Sequence, residues 1–202
     1  EYELLTEDQT SLPGTVSTAL EKAQLKVQRL IKKAIHQYKQ EVTFTPMFPF
    51  AEGPREYQKI AFENWKQNKQ VGLFAMATGT GKTITSLNCL LEVYKKTGYY
   101  KAVILVPTIT LVNQWENECK RFRFNNIIKV YSKRQKWKSD IESLHLQERI
   151  YGGEDKVSYV VIATYASFAK DGAFDLLNSL SSRAMLIADE AHNMGSGGIR
   201  KK

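Results

Sequence analysis

The sequence predicts an α/β fold: a mainly parallel sheet covered by helices on both faces. Short β-branched or apolar runs recur at Val71–Met76, Ala102–Pro107, Ile127–Tyr131, Val157–Thr164 and Ala184–Asp189. Helical patterns separate them, near Lys82–Lys96, Thr110–Phe122, Lys133–Arg149 and Ser167–Ser181. The runs are nearly continuous in apolar residues, as strands buried on both faces must be, instead of alternating with polar ones.

Composition sets the outer bounds. The chain has 202 residues and a formal net charge of +8, with 43% hydrophobic and 25% charged residues, which excludes disorder, collagen and a disulfide-stapled miniprotein. Apolar runs such as Ala102–Val106 are far too short to span a bilayer, so no membrane partner is expected. Cys89 and Cys119 lack metal-ligand spacing and suit a reducing, cytoplasmic setting. The chain opens at Glu1, not at Met, and closes on Gly195–Gly198 and Arg200-Lys201-Lys202 directly after an acidic motif; a piece of a longer protein is expected.

Two domains are expected, a helical extension and linker over 1–50 and an α/β domain over 51–202. From about Ser17 to Gln40, Leu20, Ala23, Val27, Leu30, Ile31, Ala34 and Tyr38 keep three- and four-residue spacing. Lys22, Lys26, Arg29 and Lys33 share another face, which reads as a solvated surface, with a nucleic-acid contact as the alternative. Pro46, Pro49 and Pro54, with Phe48 and Phe50 between them, mark a linker pinned by its aromatics.

Chemistry enters at Ala77-Thr78-Gly79-Thr80-Gly81-Lys82-Thr83, between an expected strand and an expected helix. Glycines let the backbone wrap so that successive N–H groups face phosphate oxygens, and the helix N-terminus adds its positive end. Lys82 would reach the β- and γ-phosphates, and the Thr83 hydroxyl would ligate Mg²⁺. Met76 stands where the generic pattern has glycine, so the turn must lean on Gly79 and Gly81.

The run Ala184–Ala188 ends in Asp189-Glu190-Ala191-His192. A carboxylate at the C-terminal tip of a parallel strand emerges where such folds place their ligands. Asp189 can hold Mg²⁺, and Glu190 can orient and deprotonate an attacking water. A mere helix-start cap is the bland alternative.

Together, Met76–Thr83 and Asp189–His192 resemble the superfamily 2 helicases and translocases, closest to the DEAD/DEAH-box proteins grouped with the restriction subunits of type I and type III systems. Met76 is at home in that family's loop. The resemblance covers about Pro54 to Met194 and implies a RecA-like P-loop NTPase domain, a three-layer sandwich that is incomplete here. It implies ATP and Mg²⁺ as cofactors, catalytic Lys82, Asp189 and Glu190, and His192 as the residue coupling nucleotide to nucleic acid. Arg55-Glu56-Tyr57-Gln58 resembles the family's adenine-reading element, which makes Gln58 the base reader with Arg55 or Tyr57 in support. Val106-Pro107-Thr108 and Ala163-Thr164-Tyr165 resemble strand-contacting motifs, with Thr108 and Thr164 as the candidate phosphate contacts. Trp115 reads as core, with base stacking as the alternative.

The resemblance further implies DNA over RNA, a second RecA-like domain in the parent chain, and a further strand placed between those bearing the two nucleotide motifs. A nucleotide-dependent binding module without hydrolysis, and a P-loop NTPase of another class, remain as alternatives. The acid-free stretch Lys120, Arg121, Arg123, Lys129, Lys133, Arg134, Lys136 and Lys138, interleaved with Phe122, Phe124, Tyr131 and Trp137, reads either as a phosphate footprint or as a solvated edge.

Overall fold

The computed structural model describes residues 20–32, 45–77, 79–134, 136–150, 157–170 and 183–191. The chain divides into two compact units, Glu1–Phe44 and Thr45–Lys202. In the first, residues 20–32 form helix α1, with Leu25, Val27, Leu30 and Ile31 more than half exposed. The rest of the expected 17–40 helix lies outside the described residues.

The second unit runs α2 (Glu56–Gln67), α3 (Lys82–Thr97), β1 (Lys101–Val106), α4 (Ile109–Arg121), β2 (Ile127–Val130), α5 (Trp137–Ile150), β3 (Tyr159–Thr164), α6 (Tyr165–Phe168) and β4 (Met185–Ala188). The strands form one sheet in the order β2-β3-β1-β4, and every pairing is parallel. The predicted parallel α/β fold is what the chain adopts.

Three layers follow from the alternation of side chains along the strands. Val103 and Leu105 of β1, with Tyr159, Val161 and Ala163 of β3, pack against Trp137, Ile141 and Leu144 of α5. On the other face Ala102, Ile104, Val106, Val160 and Ile162 meet Leu87, Leu90 and Leu91 of α3 and Val112, Trp115 and Cys119 of α4. β1 and β3 are buried at every position, which is why their sequences carry no polar alternation. Burial of one such aliphatic side chain stabilises by about 1.5–3 kcal/mol.

The linker is pinned as expected: Phe48 sits edge-on to Phe122 at 5.4 Å, and the Arg121 guanidinium lies 4.9 Å from the Phe50 ring centre. At the opening of β1, buried Lys101 pairs with Glu148 of α5 at 2.7 Å.

One expectation needs correction. Val71–Met76 is not a strand; Val71 and Leu73 are 69% and 79% exposed, and the backbone bends through Ala75 N–H to Leu73 O and Met76 N–H to Phe74 O. A strand needs a neighbouring ladder, and among the described residues this segment has none. Of the helix expected over Ser167–Ser181, the described residues show α6 ending at Phe168 with Ala169 as its cap, and residues 171–181 lie outside the described residues.

The open segment and β4 line one groove of about 990 Å³, with Phe74, Met76, Leu186 and Ile187 among its lining residues. Among the described residues β4 is paired on its β1 side alone, and Leu186 stands 58% exposed.

Candidate nucleotide site

Strand register decides which residues meet. Val106 is level with Thr164 and Leu105 with Ala188, so β1, β3 and β4 end at one edge of the sheet. Thr108, Thr164 and Asp189 therefore emerge along that same edge, where a parallel sheet binds its ligands.

Helix α3 starts at that end of the unit. Its N-cap is Gly81 at φ 87°, and Gly79 has φ 82°. Both are left-handed conformations that cost a side-chain-bearing residue about 1–2 kcal/mol. At Gly81 there is a second constraint: a Cβ there would stand 3.3 Å from Gln58 Nε2. The loop thus has the bare backbone that a phosphate cradle requires. Lys82 lies back along it, its Nζ donating to Met76 O at 3.2 Å, and Thr80 Oγ1 donates to Ala77 O at 2.6 Å. Thr83 is half-buried beside it in the first turn of α3. Thr78 lies outside the described residues.

Gln58 comes to the loop from α2. It is 4% exposed, and its Oε1 accepts from the Arg55 backbone N–H at 3.0 Å, closing the first turn of the helix. Tyr57 Oη donates to Thr80 O at 2.7 Å, tying α2 directly to the loop. Arg55, Tyr57, Gln58, Gly79, Thr80 and Gly81 line a second cavity of about 340 Å³. The sequence offers the tyrosine as a support for the base; its hold on the loop carbonyl depends on how α2 docks.

Lys82, Asp189 and Glu190 line one groove, the larger of the two cavities described. Asp189 is fixed at three atoms. Its N–H donates to Leu105 O at 2.9 Å, its carbonyl accepts from Tyr165 Oη at 2.8 Å, and its Oδ2 accepts from Trp115 Nε1 at 2.8 Å. Burial, together with the Asp189 and Glu190 charges, pushes the Tyr165 phenol up to about 12, so it remains a donor across the neutral range. Glu190 is exposed and adopts φ 52°. His192 lies outside the described residues.

The donor set suits a hard divalent ion on a triphosphate: the Thr83 hydroxyl and the Asp189 carboxylate are both oxygen ligands, and Mg²⁺ takes one or two such groups alongside phosphate oxygens and water.

The threonines at the sheet edge differ. Thr108 is exposed and caps α4, its hydroxyl accepting from Leu111 N–H at 3.3 Å. Thr164 is 6% exposed, and its hydroxyl is spent inside α6, accepting from Ser167 N–H and donating to Ser167 Oγ at 3.0 Å. It serves as a helix cap; only backbone groups near it remain for an outside phosphate.

The basic stretch is also less open than its composition suggests. Lys120 and Lys129 both pair with Glu116, Arg121 with Glu118, and Arg134 with Asp140. Burial pushes the Glu116 carboxyl up, but hydrogen bonds from Lys120 and Lys129 outweigh it and hold the group below its usual range. Phe122, Phe124 and Trp137 are core residues, which leaves no stacking platform among them. Trp115, 3% exposed, is likewise in the core.

The sequence model of the family described as type III restriction enzyme, res subunit, matches residues 52–201. The chain is 28% identical over 146 residues to the DNA 3'-5' translocase XPB2 of Sulfurisphaera tokodaii, a match covering 71% of this chain and 26% of that protein. Among solved structures it resembles a nuclease-deletion mutant of the type ISP restriction-modification enzyme LlaGI in complex with a DNA substrate mimic. That match has a TM-score of 0.54 and 25% identity, over 73% of this chain and 16% of the other. The chain thus spans about a quarter or less of the length of these relatives.

Proposed function

The chain belongs to the type III restriction enzyme res-subunit family, and on that premise we propose that residues 51–202 are the first RecA-like domain of an ATP-driven DNA translocase or helicase. The observation that carries the reading is the shared groove, in which Lys82, Asp189 and Glu190 face one space. The neighbouring cavity, with Gln58 and Arg55 beside the glycine loop, is suited to the base end of the same nucleotide. The relatives' printed names support DNA as the polymer.

Under this reading Lys82 exchanges its contact with Met76 O for a phosphate oxygen and steadies the β–γ end of ATP. The N–H groups of Thr80–Thr83 hold the phosphates, and Thr83 and Asp189 hold Mg²⁺, which when bound neutralises charge on the transferred group. Glu190 accepts a proton from the attacking water as the new O–P bond forms and the bridging β–γ O–P bond breaks. Most of the catalysis is positioning and charge stabilisation. Gln58 reads the adenine edge, and His192 couples the nucleotide to strand contacts beginning at Thr108.

The groove beside β4 accommodates a further strand of the parent chain, and a second RecA-like domain completes the machine. By themselves the 202 residues are then a poor ATPase. A cytoplasmic setting with both thiols reduced belongs to the same reading.

The test uses the full-length protein. Lys82→Ala should abolish detectable nucleotide binding, whereas Glu190→Gln should bind nucleotide normally and lose about 10²–10⁴-fold in DNA-stimulated turnover. Normal turnover in Glu190→Gln would refute hydrolysis at this site and leave a binding module. Normal nucleotide binding in Lys82→Ala would refute the site itself.

A further inference from the structure

Trp115 does something its burial alone does not require. A buried indole must place its single N–H on an acceptor, and a backbone carbonyl would serve. Here the acceptor is the side chain of Asp189, at 2.8 Å. Every other contact of that aspartate described above is through its backbone, to Leu105 and Tyr165. Of the contacts described, the indole is the one that sets the carboxylate's rotation. It occupies Oδ2 and leaves Oδ1 with both lone pairs for other work. A hydrogen bond onto an ionised oxygen is about twice as strong as a neutral one.

The geometry points to Trp115 as a positioning residue: its indole N–H orients the Asp189 carboxylate and links it to helix α4. This rests on the reading of Asp189 as the residue that holds the divalent ion. Helix α4 begins at Thr108, the exposed threonine of the sheet edge. Trp115 is seven residues further on, close to two full turns, so the two side chains leave α4 on nearly the same side about 10 Å apart along the axis. The helix between them is rigid and packed along Val112 and Cys119 on the core. A phosphate that shifts α4 at Thr108 therefore moves the indole, and the indole moves the carboxylate. The backbone of Asp189 receives a second input from Tyr165, the first residue of α6, so α4 and α6 converge on this one aspartate. Partners of this kind, one shell removed from a metal, commonly govern its affinity.

The experiment measures equilibrium binding of mant-ATP to the full-length protein, with Mg²⁺ and again in EDTA. The ratio of the two affinities isolates the ion from the nucleotide. Trp115→Phe, which removes the N–H, should shrink that ratio roughly 10-fold or more while the affinity in EDTA stays within about twofold. Because Trp115 is in the core, the same measurement is made with benzothienylalanine at position 115. That isostere keeps the ring shape and replaces N–H with sulfur, and it should behave like the phenylalanine variant. Asp189→Asn is the control. If Asp189→Asn lowers the ratio but the isostere does not, the positioning role is overturned while the site reading stands. If Asp189→Asn leaves the ratio unchanged, Asp189 does not hold the ion, and both readings fall.

Discussion

Val71–Met76 and Met185–Ala188 are alike as sequences and different as structures. Both are apolar, and both lead directly into a polar motif. The second is a strand laddered to β1 in parallel, whereas the first is bent, exposed and unpaired among the described residues. An apolar run marks a segment able to be a strand; a neighbour with matching free N–H and C=O groups decides whether it becomes one. Both segments line one groove. The same contrast separates the halves of the sheet: β1 and β3 are laddered on both edges and buried throughout, and the groove side remains open to solvent.

The largest effect that sharpens this contrast lies in the closed half. Glu148→Gln leaves the Lys101 ammonium buried without its charge partner and should lower unfolding stability by about 3–5 kcal/mol in urea titrations. A loss near zero would mean that Lys101 finds water or another acceptor in place of Glu148. Next, Ile104→Ala removes a side chain with no exposure and should cost about 2–5 kcal/mol, against less than about 0.5 kcal/mol for Leu73→Ala. Equal losses would show that the Val71–Met76 segment is packed in solution, and the comparison would break.

Gly81→Ala should be milder in stability, about 1–2 kcal/mol for a left-handed residue. It should also weaken nucleotide binding, since its methyl would press on Gln58; a variant with unaltered nucleotide affinity would separate the two cavities functionally. The smallest effect is confined to alkaline solution. The Tyr165 phenol is raised in the fold from an ordinary 10 to about 12, so its stabilisation is complete below pH 10 and is lost as the pH climbs toward 12. Comparing urea midpoints of the wild type and Tyr165→Phe between pH 9 and 11 should show the wild type losing its advantage; parallel slopes would show that burial and the Asp189 and Glu190 charges do not hold the phenol above its ordinary range.

The sequence made the sheet legible because β1 and β3 are buried on both faces, and nothing but an unbroken apolar run can fill such positions. The glycine loop was legible because Gly79 and Gly81 answer a backbone demand that few other residues meet. What stayed hidden depends on contacts distant along the chain. Trp115 and Asp189 are 74 positions apart, and nothing in either neighbourhood announces the bond. Thr164 looked like an open hydroxyl because its burial comes from the packing around α6, and the cations between Lys120 and Lys138 looked free because Glu116 and Glu118 precede them, outside the stretch being read. Spacing on α4 was the available clue: Trp115 follows Thr108 by two turns, and Glu116 and Lys120 stand at i and i+4.

The alignment of β1 with β4 has one consequence for how such a chain can vary. Leu105 is level with Ala188, and Asp189 takes its place by donating to the Leu105 carbonyl. Inserting or deleting a single residue in β4 would turn the aspartate to the opposite face of the sheet. Exchange of one aliphatic residue for another along β4 leaves that placement intact, whereas a change in its length does not.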